Sequence, residues 1–322
     1  MFSLAVWIIV FLASLFLLIK SSDYFIDSAE KIGVYFGLPA FVIGIIIVSI
    51  GTSLPELISS IFSVLKGASE IGVGTVIGSN ITNIFFVLGL TAVVYRKTIK
   101  INYNILSSDL PFLVATSFIV GIMLFNQTFT VLETIICLVL LVFYIYNIIS
   151  SSRTSKDKEL RKEFSDIENS KKKLNILKTL FILILSCAGI YFGAKYVVDS
   201  ILNISSILKI ATDIIAISAV ALGTSLPELV VTLQAIRKNK PEIAIGNVLG
   251  SNIFNLVGVI GITSLFGKIV VPSSLLTFGI PMLIVSTLIY FFVIQDNKLT
   301  YIEGFALLIF YIYFLGHIFG IV

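Results

Sequence analysis

Apolar residues fill this chain in long blocks separated by short polar breaks. The blocks fall near residues 3–34, 39–65, 70–94, 106–125, 130–150, 174–207, 211–237, 242–266, 273–294 and 300–320. A helix needs about 20 apolar residues to cross a bilayer, so each block is long enough to be one span. The breaks carry turn and stop residues, as at Leu38-Pro39 and Asn239-Lys240-Pro241. The first and sixth blocks are longer and lose hydrophobicity toward their ends, which predicts helices that tilt or protrude. The pattern predicts an all-α polytopic membrane protein of about ten transmembrane helices.

Composition agrees and removes competitors. Hydrophobic residues make up 57% of the 322 positions and charged residues 12%. The charged share is about half that of a soluble domain, too little to cover so much apolar surface, which rules out a soluble enzyme. Cys137 and Cys187 lie in apolar blocks without CxxC spacing and read as packing residues. His317 is the one histidine and stands alone in the last block, so no zinc site or Ser-His-Asp chemistry can be assembled. Neither enzymatic activity nor a resident cofactor is expected.

The charges that remain are unevenly placed. Of 40 charged side chains, 13 lie in residues 153–173, with Lys171, Lys172 and Lys173 at the end. Interleaved acids and flanking spans make this a cytoplasmic loop rather than a nucleic-acid site. With that loop inside and ten alternating spans, 17 of the 22 Lys and Arg fall at cytoplasmic ends. Arg96, Lys97, Lys100, Arg237, Lys238 and Lys240 are among them. Both termini are then expected outside. The first block lacks a basic leader and is expected to be a retained span, not a signal peptide.

An internal repeat divides the chain near that loop. Gly51-Thr-Ser-Leu-Pro-Glu-Leu57 recurs as Gly223-Thr-Ser-Leu-Pro-Glu-Leu229, an offset of 172. The same offset maps Gly78-Ser79-Asn80-Ile81 onto Gly250-Ser251-Asn252-Ile253, Asn83 onto Asn255 and Asp27 onto Asp199. Nine of sixteen positions are identical between 69–84 and 241–256 without a gap, and the matches include Glu, Ser and Asn. Shared apolar composition cannot produce that. Five spans per copy is odd, so the second copy enters the membrane from the opposite side. The expected organisation is residues 1–150 as one five-helix repeat, 151–173 as the loop, and 174–322 as the inverted repeat. Secondary transporters use this architecture, with the site at the midplane between repeats.

The repeated motif supplies suitable chemistry. Glu56 and Glu228 are the carboxylates placed well inside a predicted span, where an ionised side chain costs about 2.5–3.5 kcal/mol on insertion scales. Two such groups brought together by a pseudo-twofold axis also repel, unless a cation or a proton intervenes. Thr52 shares a helix face with Glu56, as Thr224 does with Glu228. Pro55 and Pro227 have no N–H, so the carbonyls of Gly51 and Gly223 lose their helical donors. On the following spans Ser79 and Asn83 share a face, as do Ser251 and Asn255. Carboxylate, amide, hydroxyl and carbonyl oxygens without His or Cys describe a hard-cation site. Calcium is balanced by two carboxylates; sodium can use the same oxygens. Gly74, Gly78, Gly246 and Gly250 give GxxxG spacing, which also serves close helix packing. Asp27 and Asp199 fit interfacial or capping roles, and Glu70 and Glu242 suit helix N-termini.

At these residues the chain resembles the calcium/cation antiporter superfamily, and within it the sodium/calcium exchanger branch. The two GTSLPE segments, followed by GTVIGSNITN and GNVLGSNIFN, look like that family's paired α-repeats. The resemblance implies alternating-access exchange of calcium against sodium, with ions at the second, third, seventh and eighth spans. It implies that Glu56 and Glu228 serve both ions and that Thr52 and Thr224 offer main-chain oxygens. Ser53, Ser79, Ser225 and Ser251 would flank sodium sites, with Asn83 and Asn255 completing the centre. Ser49 corresponds to Ala221, so the two outer sodium sites need not match. Asn255 stands where the potassium-dependent branch carries Asp, which argues against potassium co-transport. The Gly-Asn-x-x-Glu pattern of proton-coupled calcium exchangers is missing. The expectation is a sodium-driven calcium antiporter in a prokaryotic cell membrane, with a lone chain sufficient for transport. A proton/calcium or broader divalent-cation exchanger is the alternative, and a cation channel is a weaker one.

Overall fold

The computed structural model describes residues 4–101, 105–106, 108–154, 175–207, 225–273 and 275–321. In the first half the helices are α1 (Leu4–Phe36), α2a (Ala40–Thr52), α2b (Leu54–Leu65), α3 (Ser69–Tyr95), α4 (Asp109–Phe125) and α5 (Val131–Thr154). In the second half they are α6 (Ile176–Ile207), α7 (Leu226–Arg237), α8 (Pro241–Thr263), α9 (Leu275–Ile294) and α10 (Tyr301–Ile318). Every apolar block of the sequence thus contains a helix. Among the described residues, seven helices are long and apolar enough to cross a membrane, and the pair α2a–α2b, bent by 41°, makes an eighth if it is one span. α4 is a shorter apolar helix, and the residues before α7, with most of the charged loop, lie outside the described residues. The protein is an integral membrane protein.

Burial is graded from the centre outward. α8 is enclosed along its whole length and α3 over most of it, whereas α1, α5, α6 and α10 keep most of their apolar surface outward. Ile9, Phe16, Val142, Phe181, Ile184 and Ile312 are among the large apolar side chains left exposed, as lipid contact requires. Cys137 is buried and Cys187 half-buried, both free thiols. His317 is exposed and stacks on Phe278 with ring centroids 3.6 Å apart.

Backbone hydrogen bonds repeat between the two halves. At the end of α2b, Lys66, Gly67 and Ala68 donate to the carbonyls of Phe62, Val64 and Ser63. At the end of α7, Lys238, Asn239 and Lys240 donate to Gln234, Ile236 and Ala235, the same bonds at the 172-residue offset. Gly67 and Asn239 both adopt the left-handed conformation that closes such a turn, at φ 74° and 56°. A second matched feature lies at opposite ends of the bundle. The strand β1 (Ile99–Lys100) pairs antiparallel with β2 (Lys298–Leu299), and Thr128 bridges Val270 in the same sense. Adding 172 to the first strand and subtracting it from the second carries one pairing onto the other, within two residues. α5 and α10 both begin with Thr-x-x-Glu: Glu133 accepts from Thr130 N–H at 2.6 Å, and Glu303 from Thr300 N–H at 2.7 Å. Each is a capping box that satisfies otherwise orphaned donors.

Ion pairs tie the turn after α7 to α1. Lys238 pairs with Asp27 at 2.6 Å and Asp23 at 3.8 Å, and Lys240 pairs with Glu30. Asp27 is therefore an ion-pair residue, consistent with the interfacial role expected for it. Separately, Ser69 Oγ accepts from Val270 N–H at 3.0 Å.

The centre is held by glycine. Gly246 on α8 faces Gly44 on α2a, and a Cβ added to Gly246 would stand 2.5 Å from the Phe41 carbonyl oxygen. Gly250, one turn on, faces Ile45 and Ser49. The GxxxG spacing thus brings two backbones into contact beside the motif. In α2a, residues Gly44–Val48 are π-helical, and wider segments also run over Asn83–Leu88 and Phe254–Val259. Gly246→Ala should lower the unfolding temperature in detergent, although Ala is the better helix former by about 0.5–1 kcal/mol. Gly72→Ala, where the nearest atom would be Ser60 Cα at 3.3 Å, should be milder. Equal stability of the Gly246 variant and wild type would remove the close contact from the fold's support.

Candidate functional site

The chain breaks where Pro enters the second turn of the motif. Ser53 leaves the helical region at φ −87°, ψ 5°, and Ser225 repeats this at φ −91°, ψ 4°. Each serine is the N-cap of a new half-helix, α2b or α7, with Pro in its first turn. Glu56 and Glu228 occupy those first turns and are fully buried. A half-helix N-terminus carries partial positive charge, which stabilises a carboxylate there. The break therefore supplies a local electrostatic reason for an acid at this depth.

Ser53 Oγ donates across the repeats to Glu228 Oε1 at 3.1 Å. Ser79 Oγ lies 3.5 Å from Glu56 Oε1, within its own repeat. The second oxygen of each carboxylate, Oε2, is buried without a protein hydrogen-bond partner. The same holds for both amide atoms of Asn83 and of Asn255, and for Ser225 Oγ. Buried polar atoms without partners are rare because each costs about 1–3 kcal/mol. Among the described residues these atoms lie on α2b, α3, α8 and the N-terminal end of α7, the elements that carry the repeated motifs.

The expected residues are distributed as follows. Glu56, Glu228, Ser53, Ser225, Ser79, Ser251, Asn83, Asn255, Thr52 and Ser49 are all buried on these central elements. Ser49 donates to the Ile45 carbonyl of its own helix. Thr224 and Ala221 lie outside the described residues. Ser251 lies 3.4 Å from Thr52 Oγ1, across the repeats.

Two features escaped the sequence pattern. Asn247 is fully buried on α8, and its Oδ1 accepts from Thr52 Oγ1 at 3.1 Å. Its counterpart is Thr75, so the signal was a difference between copies rather than a match. Asp109, at the start of α4, is also fully buried and accepts from Tyr144 Oη at 3.0 Å and Ser108 Oγ at 3.3 Å. Its position in a first helical turn, with hydroxyl donors, stabilises a carboxylate there.

Comparison with known proteins is decisive. Residues 6–151 and again 178–320 match the family described as sodium/calcium exchanger protein. The chain belongs to the sodium/calcium exchanger protein family. The two matches cover the two repeats and leave the charged loop between them. The sodium/calcium exchanger MaX1 of Methanosarcina acetivorans is 33% identical, with 97% of this chain and 98% of that protein covered. Inner membrane protein YrbG of Escherichia coli is 31% identical over 79% of this chain and 78% of its own length. Among solved structures, the sodium-calcium exchanger NCX_Mj soaked with Na+ and Sr2+ superposes at a TM-score of 0.80. It is 28% identical, with 96% of this chain and 98% of that one covered. This member of the exchanger family is thus matched along nearly its whole length.

Paired buried carboxylates make a direct test available. In sodium-free, calcium-chelated buffer at alkaline pH, where the bare pair has lost any shared proton, Glu56→Gln should unfold at a temperature about 2–4 °C above wild type, since it removes one of two repelling charges. Differential scanning measurements with choline as the cation would show it. An unchanged or lower midpoint would mean that the carboxylates do not strain the ion-free protein.

Proposed function

We propose that this protein is a secondary-active antiporter that exchanges sodium for calcium across the membrane by alternating access. The observation that carries the reading is the pair of fully buried glutamates at the two helix breaks, each with one carboxylate oxygen left without a protein partner. Calcium takes six to eight oxygen ligands at about 2.3–2.6 Å and prefers carboxylates and carbonyls. Two carboxylates neutralise one calcium ion, so the pair is stable when loaded and strained when bare. Several sodium ions can satisfy the same oxygens. Competition for shared carboxylates then couples the two fluxes, each ion shifting the carrier only by its differential affinity for the two states.

In this reading Glu56 and Glu228 hold calcium between them, and the carbonyls of Thr52 and Thr224 add main-chain oxygens. Ser53, Ser79, Ser225 and Ser251 flank sodium positions, Asn83 and Asn255 close the centre, and Ser49 and Ala221 make the outer positions unequal. Residues 1–150 and 174–322 act as the inverted halves. The 151–173 loop is cytoplasmic and both termini are outside. Sodium and calcium are cargo; no resident cofactor and no nucleic acid take part, and a single chain contains a full set of ligands.

Reconstituted vesicles test the coupling. An outward sodium gradient should drive calcium uptake, and replacing sodium with choline at fixed pH should abolish it. Uptake that ignores sodium and follows a proton gradient would overturn sodium coupling. Glu56→Gln and Glu228→Gln should each reduce calcium flux to background. Calcium at 100 times its Kd should stabilise wild type by about 2.7 kcal/mol and leave both variants unmoved. For orientation, a cysteine introduced at Ser165 should be labelled by an impermeant reagent only from the cytoplasmic side.

A further inference from the structure

Asn247 is the buried polar side chain of α8 that touches both halves of the site at once. Its Oδ1 accepts from Thr52 Oγ1 at 3.1 Å, on the first repeat's broken helix. Its Nδ2 donates to Thr232 Oγ1 at 2.9 Å and reaches the Glu228 carbonyl at 3.4 Å, both on the second repeat's half-helix. The amide is thereby satisfied at both ends, unlike Asn83 and Asn255. In the first repeat the counterpart Thr75 turns its hydroxyl back to the Ile71 carbonyl of its own helix, at 2.8 Å. The counterpart of Thr232, Ser60, reaches the Gly72 carbonyl at 3.4 Å instead. The bridge is therefore built on one side of the pseudo-twofold axis and joins Thr52 to the backbone that carries Glu228.

We propose that Asn247, held by Thr232, is a positioning residue that fixes the spacing of the Thr52 and Glu228 segments and so favours calcium over sodium. The inference rests on the exchange site described above and deepens it. A divalent ion must be gripped from both halves at once, with oxygens at about 2.3–2.6 Å, so it depends on the spacing between them. Sodium uses fewer ligands per ion and tolerates a looser frame. Loosening the bridge weakens calcium more than sodium, though no atom of Asn247 or Thr232 is needed as an ion ligand.

The test is made on Thr232, which in this reading acts through Asn247. Thr232→Val keeps the shape and removes the hydroxyl that anchors the amide. In vesicles it should raise the calcium concentration for half-maximal exchange about 3–10-fold, roughly 0.7–1.4 kcal/mol. The sodium concentration for half-maximal inhibition should stay within about twofold. Thr232→Ser, which restores a hydroxyl, should return the calcium value to wild type. Asn247→Thr, the residue of the other repeat, should shift the calcium-to-sodium ratio in the same direction as Thr232→Val. An unmoved ratio in folded Thr232→Val, or equal weakening of both ions, overturns the proposal. Glu228→Gln run alongside separates the two readings. Its retention of wild-type calcium flux overturns the site itself, whereas its loss beside an unmoved Thr232→Val ratio overturns only the role of Asn247.

Discussion

Two carboxylates buried in one apolar bundle have left water behind, and much of the centre is arranged around that cost. The Pro breaks put each glutamate in the first turn of a half-helix, where the backbone dipole offsets part of it. Ser53 and Ser79 add hydroxyl contacts. What remains requires a counter-charge or a proton. Gly44, Gly246 and Gly250 then let the broken helix of one repeat lie against α8 of the other with no side chain between them.

The wide helical segments belong to the same scheme. A π-helical stretch begins at Asn83 on α3 and at Phe254, one residue before Asn255, on α8. A wide turn re-aims the side chains at its edge, and such turns are frequent at functional sites. Both asparagines sit at that edge with their amides unspent on the protein.

Much of this was legible in the residues. Spans follow from apolar length, the duplication from an offset that carries Glu, Ser, Asn and Pro together, and the break from Pro55 and Pro227. The π-helical registers were not legible, because Asn-Ile-Phe-Phe and Phe-Asn-Leu-Val read as ordinary apolar helix and the widening is decided by packing. The role of Asn247 was hidden for the opposite reason: a search for repeated residues passes over one that differs. Asp109 was overlooked because a carboxylate near a block's edge reads as solvated, whereas Tyr144 and the neighbouring helices enclose it.

The turn after α7 has a further consequence. Its backbone bonds are those of the turn after α2b, but its side chains are not. Lys238 and Lys240 bind Asp23, Asp27 and Glu30, whose counterparts in the other repeat are Lys195, Asp199 and Leu202. A carrier made of two identical halves would have two mirror-related states of equal free energy, and its resting point would be midway. Three acids on one face against one on the other break that degeneracy. The imbalance is written in partly exposed ion pairs, the kind of contact that dissolved salt screens.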